Sequence, residues 1–122
     1  MNIRTTALSA LSGITLLSAS YGSALADGSG SFSGHKNYKV SGGVTVTQSG
    51  GKTTVKLASN FKSSSGPDLY IYVGTGKPSK RIAKLKKFKG AQTYTFSGTA
   101  NVTSVHVYCK RYSVGFGTAK LN

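Results

Sequence analysis

The fold is decided by the stretch 44–57, which reads VTVTQSGGKTTVKL. Val44 and Val46 alternate with threonines, a Gly-Gly pair follows, and apolar residues return at Val55 and Leu57. A period of two places every second side chain on the same face of a β-strand. Gly-Gly suits a tight turn that needs positive φ. The stretch therefore predicts a β-hairpin with one apolar face.

The same period recurs at 69–73, 93–97 and 104–110, and a short final strand is predicted at 119–121. Gly- and Ser-rich turns separate these runs, and no convincing helix is present. We therefore predict an all-β fold, a single β-sandwich or jelly-roll-like domain of about eight mostly antiparallel strands. One segment is ambiguous, because a three-residue spacing favours a helical turn over a short bent strand: Ile82, Leu85 and Phe88.

The N-terminal sequence predicts export. Arg4 supplies a positive charge, an uncharged run follows, and the small residues of Ala24-Leu25-Ala26 fit a cleavage site. The uncharged run is shorter than the about 20 apolar residues of a membrane span, and no later run is long enough either. We expect a signal peptide over 1–26 and one domain over 27–122, located in the periplasm or outside the cell. Its first residues, 27–34, are expected to be a flexible Gly/Ser lead-in that ends in an edge strand around Phe32.

The charge of the chain is strongly unbalanced, since 16 Lys and Arg stand against two acidic residues, a formal net charge of +14. Such a surface attracts anions. For an exported protein the expected partners are anionic envelope polymers or an acidic partner protein, and we do not expect nucleic acid. The densest cations, here called the basic cluster, are a candidate anion-binding surface or simply a solvated face: Lys77, Lys80, Arg81, Lys84, Lys86, Lys87 and Lys89.

Little in the sequence supports a stand-alone enzyme. Asp27 and Asp68 are the only carboxylate side chains, so paired-carboxylate and Ser-His-Asp hydrolysis lack their residues. His35, His106 and Cys109 are the candidate soft metal ligands, but they lack the paired spacing of a zinc site, and we predict no metal site. One cysteine cannot form an internal disulfide. Its thiol is therefore free, paired with another molecule, or bound to a group.

Three blocks of sequence resemble the DM13 domain family, which is described as an electron-transfer family. They are GPDLYIYV at 66–73, the pattern LK, KG and QTY within 85–94, and SVHVYCKRYSV at 104–114, closing in FGTAKL at 116–121. Their order and spacing extend over residues 30 to 122. The resemblance implies redox chemistry at the cysteine of the third block, Cys109. That chemistry would use either the bare thiol or a bound prosthetic group such as haem, together with a redox partner protein.

The chain departs from the family pattern at two positions. Tyr108 stands before the cysteine, where the family usually has tryptophan. Ala91 stands where the family often has an acidic residue before the glutamine of the second block. The first change puts an aromatic electron relay in doubt, and the second adds to the unusual positive charge.

The residues around Cys109 leave two interpretations open. Cys109 shares its strand face with two valines, which favours an inert thiol in the core. It also directly precedes Lys110 and Arg111, whose charges would stabilise a thiolate if the sulfur reached solvent. His106 falls on the opposite strand face, so we do not expect a Cys-His pair.

Overall fold

The computed structural model describes residues 28–98 and 101–122, in which ten β-strands form. They are β1 (Gly28–Gly34), β2 (Val40–Ser41), β3 (Gly43–Ser49), β4 (Lys52–Leu57), β5 (Lys62–Ser63), β6 (Leu69–Gly74), β7 (Lys80–Lys84), β8 (Gln92–Ser97), β9 (Ser104–Cys109) and β10 (Val114–Lys120). Neither described range contains a helix that could cross a membrane. The predicted signal peptide lies outside the described residues.

Eight of the strands form one antiparallel sheet in the order β7-β6-β9-β10-β1-β3-β4-β8, and β2 pairs with β5 separately. The sheet curls until its two edge strands approach each other. Lys80 on β7 places its Nζ 5.4 Å from the ring centroid of Phe96 on β8. The all-β prediction with about eight antiparallel strands is therefore confirmed. The two layers expected of a sandwich are the two halves of one continuous, nearly barrel-like sheet.

The hairpin predicted at 44–57 forms as β3 and β4. Gly50 and Gly51 connect the two strands with backbone φ values of 59° and 76°, which residues other than glycine rarely adopt. The predicted apolar faces from both halves of the sheet meet in one core. Its largest fully buried side chains are Phe61, Ile71, Val46, Val55, Val73, Val105, Val107, Thr53, Cys109 and Ser104.

The structure corrects the flexible lead-in predicted over 27–34. Gly28–Gly34 forms β1, which lies inside the sheet between β10 and β3. A Cβ atom on Gly30 would collide with the carbonyl oxygen of Lys120, and one on Gly34 would collide with that of Tyr38. The glycines are therefore required by the close approach of neighbouring backbone, whereas their composition alone suggested flexibility.

The helical turn favoured between 82 and 88 is wrong, and the bent-strand alternative is correct. β7 pairs with β6, and a register shift between Ile71 and Tyr72 leaves Ile82 as an extra residue. Such a bulge bends a strand and interrupts its period of two. Leu85 follows the strand and is buried, whereas Phe88 is 44% exposed. A β-bulge, rather than a helix, therefore produces the three-residue spacing.

Candidate functional site

Cys109 lies at the end of β9, an interior strand that pairs with β6 on one side and β10 on the other. Its cross-strand neighbours are Leu69 and Val114. The exposed fraction of Cys109 is 0%, and the residue belongs to the main core. A buried free cysteine packs as a small apolar side chain. The closed domain thus has the core-facing thiol, one of the two interpretations left open by the sequence.

The turn that follows Cys109 carries the two predicted thiolate stabilisers. Lys110 and Arg111 are exposed, and the backbone N–H of Lys110 donates to the Asp68 carbonyl oxygen at 3.0 Å. The structure places the sulfur in the core and these cationic residues in solvent. Stabilisation of a thiolate by them stays a prediction for a form in which the sulfur is accessible.

The packing around Cys109 does not fit a haem ligand. No part of Cys109 is exposed, whereas an axial ligand must present its donor atom to iron in an open pocket. His106 points to the other face of β9, as its strand parity predicts. Within the part of the chain that the structure describes, no group of three or more His, Cys, Asp or Glu could hold a metal ion.

The hairpin end beside Cys109 is irregular. Ser113 has a φ of 52°, a left-handed conformation that costs a residue other than glycine roughly 1–3 kcal/mol. Its backbone N–H donates to the Lys110 carbonyl oxygen over a long 3.4 Å. Val114, the cross-strand neighbour of Cys109, lines a surface depression of about 370 Å³ together with His35, Lys36, Tyr38, Ser113 and Gly115. The cross-strand neighbour of the buried cysteine is thus itself partly exposed at this depression.

Aromatic side chains cover the outer face beside the cysteine. Tyr108 makes an edge-to-face contact with Tyr72, with ring centroids 5.1 Å apart. Tyr108 also lies opposite Tyr70 across the strand pair. The guanidinium carbon of Arg81 lies 5.3 Å from the centroid of the Tyr70 ring. The ring of Tyr108 therefore lies on the outer face of β9, opposite to the face that carries the Cys109 side chain.

All seven cations of the basic cluster are exposed. Three of them contact aromatic rings: Lys80 lies over Phe96, Arg81 over Tyr70, and the Nζ of Lys86 lies 5.0 Å from the Tyr94 ring centroid. The Lys86 Nζ also donates to the Thr93 carbonyl oxygen at 2.9 Å. Part of the cluster is thus anchored on β7 and β8. The remaining members are exposed and make no such ring contact with any residue in 28–98 or 101–122: Lys77, Lys84, Lys87 and Lys89.

A hydrogen-bonded chain crosses the outer face of the sheet and ends at the surface. The backbone N–H of Gly76 donates to Ser104 Oγ at 2.9 Å, and this oxygen lies 2.8 Å from His106 Nε2. His106 Nδ1 lies 3.0 Å from Thr118 Oγ1, which lies 2.8 Å from Nε2 of the exposed His35. Burial, with a smaller effect of nearby His35, lowers the pKa of His106 to about 4. We refer to this arrangement as the polar chain.

The sequence did not predict the polar chain. Ser104 and His106 alternate with valines, a pattern that is typical of a strand with one face in solvent. In the structure their exposed fractions are 1% and 3%. The cause is topological, because β9 lies inside the sheet and the loop containing Gly76 folds back onto its outer face. The available signal was the pair of serine and histidine two residues apart on one strand face.

Comparison with known protein families identifies the family of this chain. The model of the family described as electron transfer DM13 matches residues 31–121, which include the whole sheet apart from the first residues of β1. The comparisons with curated proteins and with solved structures found no match.

Proposed function

Because the chain belongs to the DM13 family of electron-transfer domains, we propose that it is an exported electron-transfer module whose redox-active atom is the Cys109 sulfur. The observation that carries the proposal is the family match over 31–121, which includes the only cysteine of the chain. The sequence has no tryptophan and a single methionine, Met1. Cys109 therefore supplies the sole sulfur atom of the matched region.

Burial prevents reagents and partners from reaching the Cys109 sulfur in the folded domain, and we call such a protected residue a guarded thiol. Its exposed fraction of 0% prevents direct contact with a partner in the closed domain. The strained Ser113 and the exposed turn before it lower the cost of opening this end of the hairpin, since poorly packed segments open at less free energy than the whole domain. Once the sulfur is exposed, Lys110 and Arg111 would favour its thiolate. Electron exchange is thus coupled to a local opening.

The dependence of alkylation on urea tests this opening. Iodoacetamide reacts only with an exposed thiol, so its rate on the purified protein reports how often Cys109 opens. A local opening exposes little surface, and the rate should stay nearly constant at low urea. A rate that rises steeply from the lowest urea concentrations would show that only global unfolding exposes the thiol, which contradicts the guarded-thiol proposal.

A matched control moves the thiol to the middle of the same strand face. The double variant Cys109→Ser, Val107→Cys places it at a position that is also 0% exposed but lies two residues from the strand end. Its alkylation should be slower than that of Cys109 by roughly tenfold or more without urea, because a central position needs wider unfolding. Equal rates at the two positions would remove the special role of the hairpin end.

Oxidation tests the redox role itself. With hydrogen peroxide, the thiol should become a sulfenic acid as the peroxide is reduced to water, and a thiol reductant should reverse this step. The protein should remain folded throughout, and the Cys109→Ser variant should lack the reaction. Failure of the folded wild-type protein to undergo reversible oxidation would contradict a redox function for this sulfur.

A second candidate function, favoured by the basic cluster, is non-enzymatic binding of anionic envelope polymers or an acidic partner protein. Its cations are exposed within 13 consecutive positions, and Asp68 is the only acidic side chain among the described residues. Because a single carboxylate side chain cannot neutralise seven cations, most of these charges remain available to external anions.

A further inference from the structure

We propose that the outer face of β1 and β10 carries a phosphate-binding site, separate from Cys109 and from the basic cluster. The site is a groove of about 570 Å³ lined by Ser31, Ser33, Gly34, His35, Gly76, Thr118 and Lys120. The lining thus offers the Ser31 and Ser33 hydroxyl groups, which are free within the described residues, together with one imidazole and one ammonium group, and it contains no carboxylate. The Thr118 hydroxyl is already bonded to two histidine nitrogens. Such donors, with one cationic side chain, match a tetrahedral oxyanion.

Sheet register brings the polar groups of the groove together. Ser33 lies opposite Thr118 on β10, and Thr118 lies opposite His106 on β9. Lys120 lies opposite Ser104 in the neighbouring row. The groove and the polar chain therefore share the same rows of side chains and meet at Thr118.

The hydrogen-bonding requirements of the buried Ser104 hydroxyl favour one direction of donation along the polar chain. The backbone N–H of Gly76 can only donate, so Ser104 Oγ accepts from it. The Ser104 hydroxyl can then donate its own hydrogen bond to His106 Nε2. His106 then carries its proton on Nδ1 and donates to Thr118, whose hydroxyl donates to His35 Nε2. If His106 Nε2 instead donated to Ser104 Oγ, the buried Ser104 hydroxyl proton would have no acceptor among the described residues.

This direction leaves the exposed end of the chain as a donor. With Nε2 accepting from Thr118, the proton of neutral His35 lies on Nδ1. The Cδ2 edge of the ring is 3.5 Å from the position that a Cβ on Gly115 would take, so the ring is held against the backbone there. Nδ1 lies on the opposite side of the ring from Cδ2, and the residue as a whole is exposed. An exposed histidine held in this way offers an oriented N–H at one end of the groove, and strand register places Lys120 at the other end, with Ser33 and Thr118 between them.

Titration with inorganic phosphate tests the site. At constant ionic strength, amide NMR signals of residues 31–35 and 118–120 should move saturably, and Lys120→Gln should weaken binding by roughly tenfold. Lys52→Gln removes the same charge from the exposed start of β4, outside both the groove and the basic cluster, and should change affinity less than twofold. Equal weakening by the two variants, or shifts that never saturate, would show non-specific attraction and overturn the site. Acetate in place of phosphate should bind more weakly, and equal affinity would overturn the choice of phosphate.

The ring of His35 provides a second measurement that does not depend on affinity. Its ¹⁵N signals should show the proton on Nδ1 in the wild-type protein and should lose this preference in Thr118→Val, which removes the hydroxyl between the two rings. Thr118 is thus a positioning residue, and the variant should also weaken phosphate binding. A proton on Nε2 of wild-type His35 would contradict the direction of the chain and with it the proposed donor.

Discussion

His106 and Thr118 are directly opposite each other on β9 and β10, and the histidine Nδ1 lies 3.0 Å from the threonine Oγ1. A neutral imidazole in this position has one nitrogen that donates and one that accepts, and both have partners. A protonated ring would have two donors, so Ser104 would lose its acceptor. The pair therefore links the stability of the domain to pH.

The first prediction is a loss of stability in mild acid. The pKa of His106 is lowered to about 4 in the folded domain by burial, against 6.5 in the unfolded chain. The unfolded chain therefore binds more protons between these values, and stability falls as pH decreases from about 6.5 toward 4. The expected loss is about 3 kcal/mol, with little change above pH 7. Urea unfolding at several pH values measures it, and His106→Gln should remove most of this slope.

The second prediction concerns Cys109→Ser. The hydroxyl would replace a sulfur in a fully buried position, and the variant should lose roughly 1–3 kcal/mol of unfolding free energy if that hydroxyl finds no partner. Cys109→Ala is the control, since it leaves a small cavity but buries no polar atom. Denaturant unfolding compares the two variants. If the unfolding free energy of the serine variant equalled that of the wild type, water or another hydrogen-bond partner would have access to position 109, contrary to the packing described.

The third prediction concerns the glycines of β1 and its neighbour β3. Gly30→Ala should destabilise the domain by roughly 1–3 kcal/mol, because the new methyl group would collide with the Lys120 carbonyl oxygen. Gly43→Ala is the matched control: its methyl group would lie 3.5 Å from the Ala58 side chain, an ordinary contact. Thermal unfolding of both variants measures the difference. If both were equally stable, β1 would not pack as closely as described.

The fourth prediction separates a binding surface from a solubilising one. Dextran sulfate should bind at low salt and release the protein as salt rises, since screening at 0.1 M acts over about 10 Å. Replacing Lys84, Lys86 and Lys87 with glutamine should weaken this binding more than the matched variant at Lys52, Lys56 and Lys62. If the two triple variants weakened dextran sulfate binding equally, the basic cluster would be a solvated face rather than a specific binding surface.

The fifth prediction concerns processing. Intact mass of the protein recovered from the periplasm or medium should correspond to a chain that starts at Asp27, because Ala24 and Ala26 occupy the small-residue positions of the cleavage pattern. Recovery of a mature protein that still contains Arg4 would rule out this processing.

The sequence was most informative where a period of two operates. The 44–57 hairpin and the buried face of β9 follow from it, since burial selects apolar residues at every second position. Prediction from the sequence failed where contacts with the backbone of neighbouring strands determine whether a segment forms a strand. Glycines in β1 indicate flexibility by composition, and the final strand extends over Val114–Lys120 rather than 119–121 because Gly115 and Gly117 interrupt its apolar pattern.

The candidate site was only partly predictable for the same reason. The face of Cys109 follows from strand parity, and the burial of that face is observed. Parity also places His106 opposite, but its burial depends on a loop that folds onto the sheet from 30 residues upstream. A local pattern carries no signal for such a contact.

The lysines that close the gap between β7 and β8 also matter for anyone who labels this protein. Lys80 covers Phe96, and Lys86 both donates to the Thr93 carbonyl oxygen and covers Tyr94. These amines therefore cover an edge strand that would otherwise be open to pairing with another molecule. Amine-directed dyes, cross-linkers or acetylating agents would remove that charge and uncover the edge. The expected side effect is self-association into β-rich aggregates, so probes should be attached elsewhere.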